Sequence, residues 1–319
     1  MNEFQLIRKY FSNLSKNNKS SLNLNDDVFF DKSKRLVISV DTYIEGIHFL
    51  NFKKPELVIK KIIRSSISDL ICKGVKPKFY FISGSGNKKS FSSFNLSKII
   101  KSLKQEQKKY NISLCGGDTV FSNKLSFTIT SLGFSKKIIF RNNAKLNDDI
   151  YVTGNLGDSF VGLNILKKKV NINKKLKKYF VSKYYLPDLH LRLTDDLLIF
   201  ANSSIDISDG LISDLEKLIN KQKFSYRLKL TKIPISENLK KIISLKKLNK
   251  KNFISQGDDY QILFTANTSK SRIIKNISNS LGIKISKIGK ICSHLDYNEI
   301  IDEKGKKIAL KNKGYSHKF

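Results

Sequence analysis

Cysteine is scarce, with three in 319 residues: Cys72, Cys115 and Cys292, odd in number and far apart. That excludes a disulfide framework and a zinc site of the usual paired spacing, and a reducing cytosol is the simplest setting. Long apolar runs are missing as well, because Lys, Asn or Ser breaks each one before it reaches the length a bilayer requires. The first twenty residues mix Arg8, Lys9, Lys16 and Lys19 with short apolar steps, and hold neither an apolar h-region nor a small-residue cleavage site. The expectation is a cytoplasmic protein with no membrane partner. No Gly-x-x-x-x-Gly-Lys-Ser/Thr phosphate loop occurs, and Gly84-Ser85-Gly86 falls short of a dinucleotide fingerprint.

Acidic side chains are few, 27 against 60 basic ones, which leaves a net charge of +33. Such an excess invites a nucleic-acid reading. Here it is nearly all lysine, spread over the whole chain and accompanied by abundant Asn, Ile, Ser and Phe. Compositional drift gives that pattern; a dedicated binding stripe does not. Zinc-finger spacing, RNP-like aromatic segments and base-reading basic helices are all lacking, so no specific nucleic-acid partner is expected.

What is present is enough for a sizeable core, at 40% hydrophobic content, and the length suggests two domains. Stretches rich in β-branched and aromatic residues at 36–40, 79–83, 125–133, 149–153 and 260–265 read as strands. Residues 55–70, with Leu57, Val58, Ile62, Ile63 and Ile67 towards one face, read as a helix, as do 94–110 and 158–169. Mixed α and β architecture follows. A polar, turn-prone stretch at 141–149 separates two halves that each hold strands and helices, giving domains 1–143 and 144–319. The basic run 167–178 reads as an exposed helix end and loop.

With so few acids, their placement is informative. Asp26 and Asp27 are adjacent, Asp41 ends the 36–40 run, Asp69 ends the first helix and Asp118 follows Gly116-Gly117. Asp206 and Asp209 lie in the stretch 205–210, and Asp258 and Asp259 follow Gly257. Carboxylates at strand ends of α/β proteins point into the ligand crevice. Several converging there must raise one another's pKa values or take up cations, and hard cations such as magnesium suit them. A metal-bridged phosphate site is the natural expectation. Singly, each has a plainer reading: Asp209-Gly210 as a turn, or Asp214 and Glu216 as residues favouring a helix start. The run Thr153-Gly154-Asn155-Leu156-Gly157-Asp158-Ser159 reads equally as an anion-binding turn or as an ordinary strand-to-helix connection.

One ordered set runs along nearly the whole chain: Asn25-Asp26-Asp27, Ser39-Val40-Asp41-Thr42 with Gly46 and His48-Phe49, Ser68-Asp69-Leu70, Gly116-Gly117-Asp118-Thr119 and Tyr151-Val152-Thr153-Gly154. It continues through Ile205-Asp206-Ile207-Ser208-Asp209-Gly210-Leu211 and Gly257-Asp258-Asp259-Tyr260 to Gly314-Tyr315. This set resembles the thiamine-monophosphate kinase family of the aminoimidazole-ribonucleotide synthetase superfamily. The resemblance implies a two-domain α/β (α+β) fold, dimeric through a β-barrel built by paired amino-terminal domains, with a carboxy-terminal α/β domain closing the cleft. It implies ATP as co-substrate, thiamine phosphate as acceptor and Mg2+ as cofactor. Matched by motif, Asp27, Ser39, Val40, Asp41, Asp69, Asp118, Asp206 and Asp209 are the implied metal ligands. Gly117, Asp118, Arg141 and Ser208 are the implied ATP contacts, and His48, Asp258 and Tyr315 the implied substrate contacts.

Three positions depart from the family pattern. Asn25 stands for a glycine, Val40 for a threonine, so that any metal contact there uses the carbonyl, and Asp258 for a glutamate one methylene longer. Sister enzymes acting on aminoimidazole-ribonucleotide precursors or selenide share the platform; the His48 segment and the Gly314-Tyr315 ending favour thiamine phosphate.

Overall fold

The computed structural model describes residues 1, 3–295, 297–310 and 312–317. Strands β1 (Phe29–Asp31), β2 (Leu36–Ile44), β3 (Pro77–Gly86), β4 (Ser113–Phe121) and β5 (Ser126–Phe134) form a first sheet in the order β1-β2-β5-β3-β4. Its pairs are antiparallel except β3 with β4. A second sheet collects β6 (Asp149–Thr153), β7 (Ser203–Asp206), β8 (Phe224–Lys229), β9 (Ile262–Ala266), β10 (Ile285–Ser293) and β11 (Glu299–Ile301) in the order β11-β8-β10-β6-β9-β7. Only β8 with β11 runs parallel there. The chain leaves the first sheet at Phe134 and enters the second at Asp149.

The helix Pro55–Cys72 joins the two. Pro55 at its start fits the fixed φ of a first turn, and Glu56 complements the positive helix end. Its interior is rich in isoleucine, a weak helix former, and burial on nearly every face overrides that preference. It packs on β2 and β5 on one side and reaches β7 and the helix Lys174–Tyr185 on the other. One continuous apolar core accordingly runs from Ile59, Ile63, Phe127 and Ile129 to Tyr184, Leu197 and Phe264. A second core gathers under the other face of the second sheet around the helix Leu211–Leu218.

Several boundaries shift from the sequence expectation for identifiable reasons. β2 continues to Ile44, so Asp41 lies inside the strand, paired with Ile129 of β5, and does not end it. The first helix runs two residues further, to Cys72, so Asp69 lies within it and does not end it. β9 begins only at Ile262, because Asp258 (φ 68°) and Tyr260 (φ 50°) hold left-handed backbone that no strand accommodates. The helix starting at Asp158 stops at Leu166, and Lys168 (φ 59°) turns the chain away. The helix Ser93–Tyr110 starts where Ser92 Oγ accepts from the Asn95 N–H and ends at left-handed Asn111. β4 gives no strand signal because Gly116 and Gly117 interrupt it. It is an edge strand exposed along its whole length, and Cys115 forms a bulge against β3.

Candidate active site

Asp69 sits in the last turns of the helix Pro55–Cys72, and its Oδ2 accepts from Ser39 Oγ of β2 at 2.5 Å. One residue earlier, Ser68 Oγ donates to Asp206 Oδ2 at 2.7 Å, at the end of β7 in the second sheet. Adjacent helix residues thus tie one carboxylate to each sheet. Asp41 joins them from β2, its Oδ2 accepting from Tyr43 Oη at 3.1 Å. Removal from water pushes Asp41 up to about 6, opposed by the Tyr43 hydroxyl, and pushes Asp206 up to about 6, opposed by Ser68. Asp69 is raised well above the usual carboxylate range by the same loss of hydration, then by the negative charges of Asp41 and Asp206. Among the described residues, none of the three has an ion-pair partner within 4.0 Å.

Asp26 and Asp27 lie differently. Lys73 Nζ stands 2.7 Å from Asp26 Oδ1 and 2.8 Å from Asp27 Oδ2. The Arg141 N–H donates to Asp26 Oδ2 at 2.9 Å, its Nε to Asp27 Oδ2 at 3.0 Å, and its Nη2 pairs with Asp27 Oδ1. Asp209 is also paired, with Lys217 Nζ at 2.5 Å, and Lys217 bonds Asp214 at 2.7 Å. Asp214, on the helix Leu211–Leu218, accepts from the N–H groups of Asp209 and Gly210 and so fixes the turn that carries Asp209.

Gly117 and Asp118 stand on β4. At Gly117 (φ +157°) a Cβ would come 1.8 Å from the Ile82 carbonyl oxygen, so only glycine fits. Asp118, opposite Ser83 of β3, is exposed, with Oδ1 accepting from the Thr119 N–H. Ser208 accepts at its carbonyl from the Asp258 N–H at 2.8 Å. Val40 is exposed beside Ser39.

The three expected substrate residues fall into one neighbourhood by an indirect route. His48 Nδ1 accepts from the Ile44 N–H at 3.0 Å, and its ring lies 5.5 Å from His317, which meets Tyr315 edge-on at 5.0 Å. Loss of hydration, then the His317 charge, hold His48 below the usual imidazole range. Tyr315 is tethered by its N–H to the Asp209 carbonyl at 3.0 Å. Asp258 Oδ1 is held by Lys61 Nζ at 2.6 Å and Tyr260 Oη at 3.2 Å. Lys61 is buried and lies over the Tyr184 ring at 4.1 Å, so this pair also bridges the halves.

Sequence reasoning missed Lys61, Lys73, Lys217 and His317; three are lysines in a lysine-rich chain and carried no signal. The turn at 153–159 spends its Gly157 N–H on Asp259 Oδ2 at 2.8 Å, so that donor is already satisfied within the protein.

Among the described residues, no three His, Cys, Asp or Glu side chains are drawn together as a ready-made metal cage. Magnesium is usually held by one or two carboxylates together with substrate phosphates, and half-buried, mutually repelling Asp41 and Asp69 with Asp206 fit that mode. No helix of the described residues is long and apolar enough to cross a membrane.

Residues 25–135 match the family described as AIR synthase related protein, N-terminal domain. The thiamine-monophosphate kinase of Buchnera aphidicola subsp. Acyrthosiphon pisum (strain APS) is 34% identical over 323 residues, covering 99% of this chain and 98% of that one. A solved structure of AaThiL complexed with AMPPCP and TMP superposes with a TM-score of 0.85 at 25% identity, over 99% of this chain and 97% of that one. The thiamine monophosphate kinase of Aquifex aeolicus superposes with a TM-score of 0.79 at 25% identity, over 96% and 97%. Alike in fold, in length and in sequence from end to end, the chain belongs to the thiamine-monophosphate kinase family.

Proposed function

We propose that the chain transfers the γ-phosphoryl group of ATP to the phosphate of thiamine phosphate, releasing ADP and thiamine diphosphate, in the biosynthesis of that cofactor. The observation that carries this reading is that Ser39 and Ser68 hold Asp69 and Asp206 at the seam between the two sheets, where the charges of Asp41 and Asp206 act on Asp69. Family membership and the likeness to a structure complexed with AMPPCP and TMP support it.

An oxygen of the acceptor phosphate attacks the γ-phosphorus in line; the bond to the β,γ-bridging oxygen breaks, and ADP leaves with its electron pair. The acceptor is already ionised, so no general base is required, and no side chain is assigned as nucleophile or proton carrier. Magnesium, when bound, neutralises charge on the phosphate oxygens. Asp41, Asp69 and Asp206 would hold it, with Ser39, the Val40 carbonyl and Asp118. Asp27 and Asp209 complete the acidic set, already paired with Lys73 and Arg141 and with Lys217 respectively.

Gly117, Asp118, Arg141 and Ser208 are the ATP contacts of this reading. His48, with Nδ1 engaged by Ile44 and its proton therefore on Nε2, offers a neutral donor to the acceptor. Asp258, whose carboxylate Lys61 already engages, and Tyr315, beside His317, are the other substrate contacts of this reading. We take 1–143 and 144–319 as the two domains, with the break in the connection between Phe134 of the first sheet and Asp149 of the second. Pairing of two chains through the open face of the first sheet, where Val40 and Phe81 are exposed, accounts for apolar side chains left facing water. The cytoplasm is the compartment that supplies ATP and keeps Cys72, Cys115 and Cys292 reduced.

An ADP-release assay comparing thiamine phosphate, thiamine and aminoimidazole precursors tests the acceptor. Release dependent on thiamine phosphate alone is expected; release with another acceptor only would replace the reading. A labelled phosphoprotein trapped on single turnover would overturn direct transfer.

A further inference from the structure

Lys73 follows the helix Pro55–Cys72 and is wholly buried. An ammonium has three protons to donate. Here three oxygens surround it: Asp26 Oδ1 at 2.7 Å, Asp27 Oδ2 at 2.8 Å and the Ser204 carbonyl of β7 at 2.8 Å. The carboxylates are equally filled. Asp26 Oδ1 also takes the Asp27 N–H, Asp26 Oδ2 takes the Arg141 N–H, and both oxygens of Asp27 meet the Arg141 guanidinium. Two negative charges are met by two positive ones, and all four carboxylate oxygens have partners. A divalent ion arriving at Asp27 would have to displace one of these cations and leave it buried and unpaired, which is strongly unfavourable. Among the described residues, the hydrogen-bond partners of the Asp41, Asp69 and Asp206 carboxylates are hydroxyls, which pose no such obstacle.

We propose that the Lys73 ammonium is a built-in cation that takes the place of a divalent ion at Asp26 and Asp27, so that metal binding is confined to the Asp41, Asp69 and Asp206 side. Asp27 then serves as a positioning residue, holding the Arg141 guanidinium through Nε and Nη2. The inference rests on the magnesium-nucleotide reading of the site, and it refines which carboxylates that reading uses.

Counting tightly bound Mn2+ by electron paramagnetic resonance tests it, on the full chain with a non-hydrolysable ATP analogue. Asp27→Asn is expected to leave the count of the otherwise native chain unchanged. Lys73→Met is expected to bind one ion more per chain, and Asp27→Asn in that background to lose it again. Should Lys73→Met fold poorly without metal, its melting temperature is expected to rise with Mn2+ well beyond the rise of the native chain, since an ion that binds only the folded state stabilises it. Lys73→Arg keeps the charge and is expected to keep the native count. A native count that falls by one with Asp27→Asn, or a Lys73→Met chain that neither gains an ion nor is stabilised further by Mn2+, would overturn the inference alone. Absence of bound Mn2+ in every variant would instead sink the magnesium-nucleotide reading, and the inference with it.

Discussion

Asp26 and Asp27 have their charge met inside the protein, by Lys73 and Arg141, whereas among the described residues the Asp41, Asp69 and Asp206 carboxylates are met by the hydroxyls of Tyr43, Ser39 and Ser68. Both groups are withdrawn from water near the same seam. In the first, every carboxylate oxygen is engaged and the cluster acts as a fixed structural joint. In the second, lost hydration raises all three carboxyls above their ordinary range, and neighbouring negative charges add to it: Asp41 and Asp206 at Asp69, Asp214 at Asp206, and Glu3 at Asp41. On the proposed reading an arriving cation would relieve that repulsion, which makes the second group the binding site and the first a scaffold for it. On that reading, acid density alone does not mark a metal site; the charge of the partners does.

The largest effect expected from breaking this contrast is on the scaffold. Lys73→Ala leaves two buried carboxylates short of a cation and is expected to lower stability by about 3–5 kcal/mol, read from the urea midpoint. On the open cluster the expected damage is catalytic. Asp41→Asn or Asp69→Asn is expected to reduce turnover by roughly 10² or more, the scale of losing one electrostatic stabiliser of a transition state, with folding intact. Asp118→Asn is expected to act the same way, because its exposed carboxylate is free to meet nucleotide-bound metal. Near-normal turnover in all three would remove them from the site.

Acidity sharpens the same comparison. With Asp206 at about 6 in the folded chain and near 4 when unfolded, the folded state binds more protons across that interval, so this group lowers stability as pH rises from about 4 to 6. Asp206→Asn is expected to remove that contribution, and the native-minus-variant difference in melting temperature of the metal-free protein against pH reports it. A difference that does not vary with pH would place Asp206 in an ordinary environment.

The smallest effect lies outside both clusters. Lys250 donates to the Leu230 carbonyl at 2.6 Å and is lowered to about 8, by loss of hydration first and then by Lys240. The unfolded chain then binds the extra proton between about 8 and 10.5, so stability rises with pH there. Lys250→Met is expected to flatten that rise, by under about 1 kcal/mol because the group is half-exposed, measured as the change in melting temperature between pH 7 and 9.

Much of the fold was legible because local and long-range preferences agree. The strand at 149–153 has the bounds read from its β-branched run, and Pro55 marks the start of the joining helix. Strand β4 was hidden because Gly116 and Gly117, needed for close approach to Ile82, erase the strand signal. Around the candidate site, the acids stood out in the sequence as scarce residues in ordered motifs, and in the structure the charges of Asp41 and Asp206 reach Asp69. What composition could not reveal was which acids already own a cation. Lys61, Lys73 and Lys217 are three among 60 basic residues, and only their burial against Asp258, Asp27 and Asp209 distinguishes them. His317 became visible only through its ring contacts with His48 and Tyr315.

The most direct test of the central claim is a label-transfer measurement. The chain is mixed with magnesium, thiamine phosphate and ATP carrying 18O throughout its γ-phosphoryl group, and the thiamine compounds are weighed by mass spectrometry. The account predicts thiamine diphosphate whose terminal phosphoryl group carries the label, formed only while the divalent ion is present. Unchanged thiamine phosphate, with the label found only in ATP or in free phosphate, would contradict it.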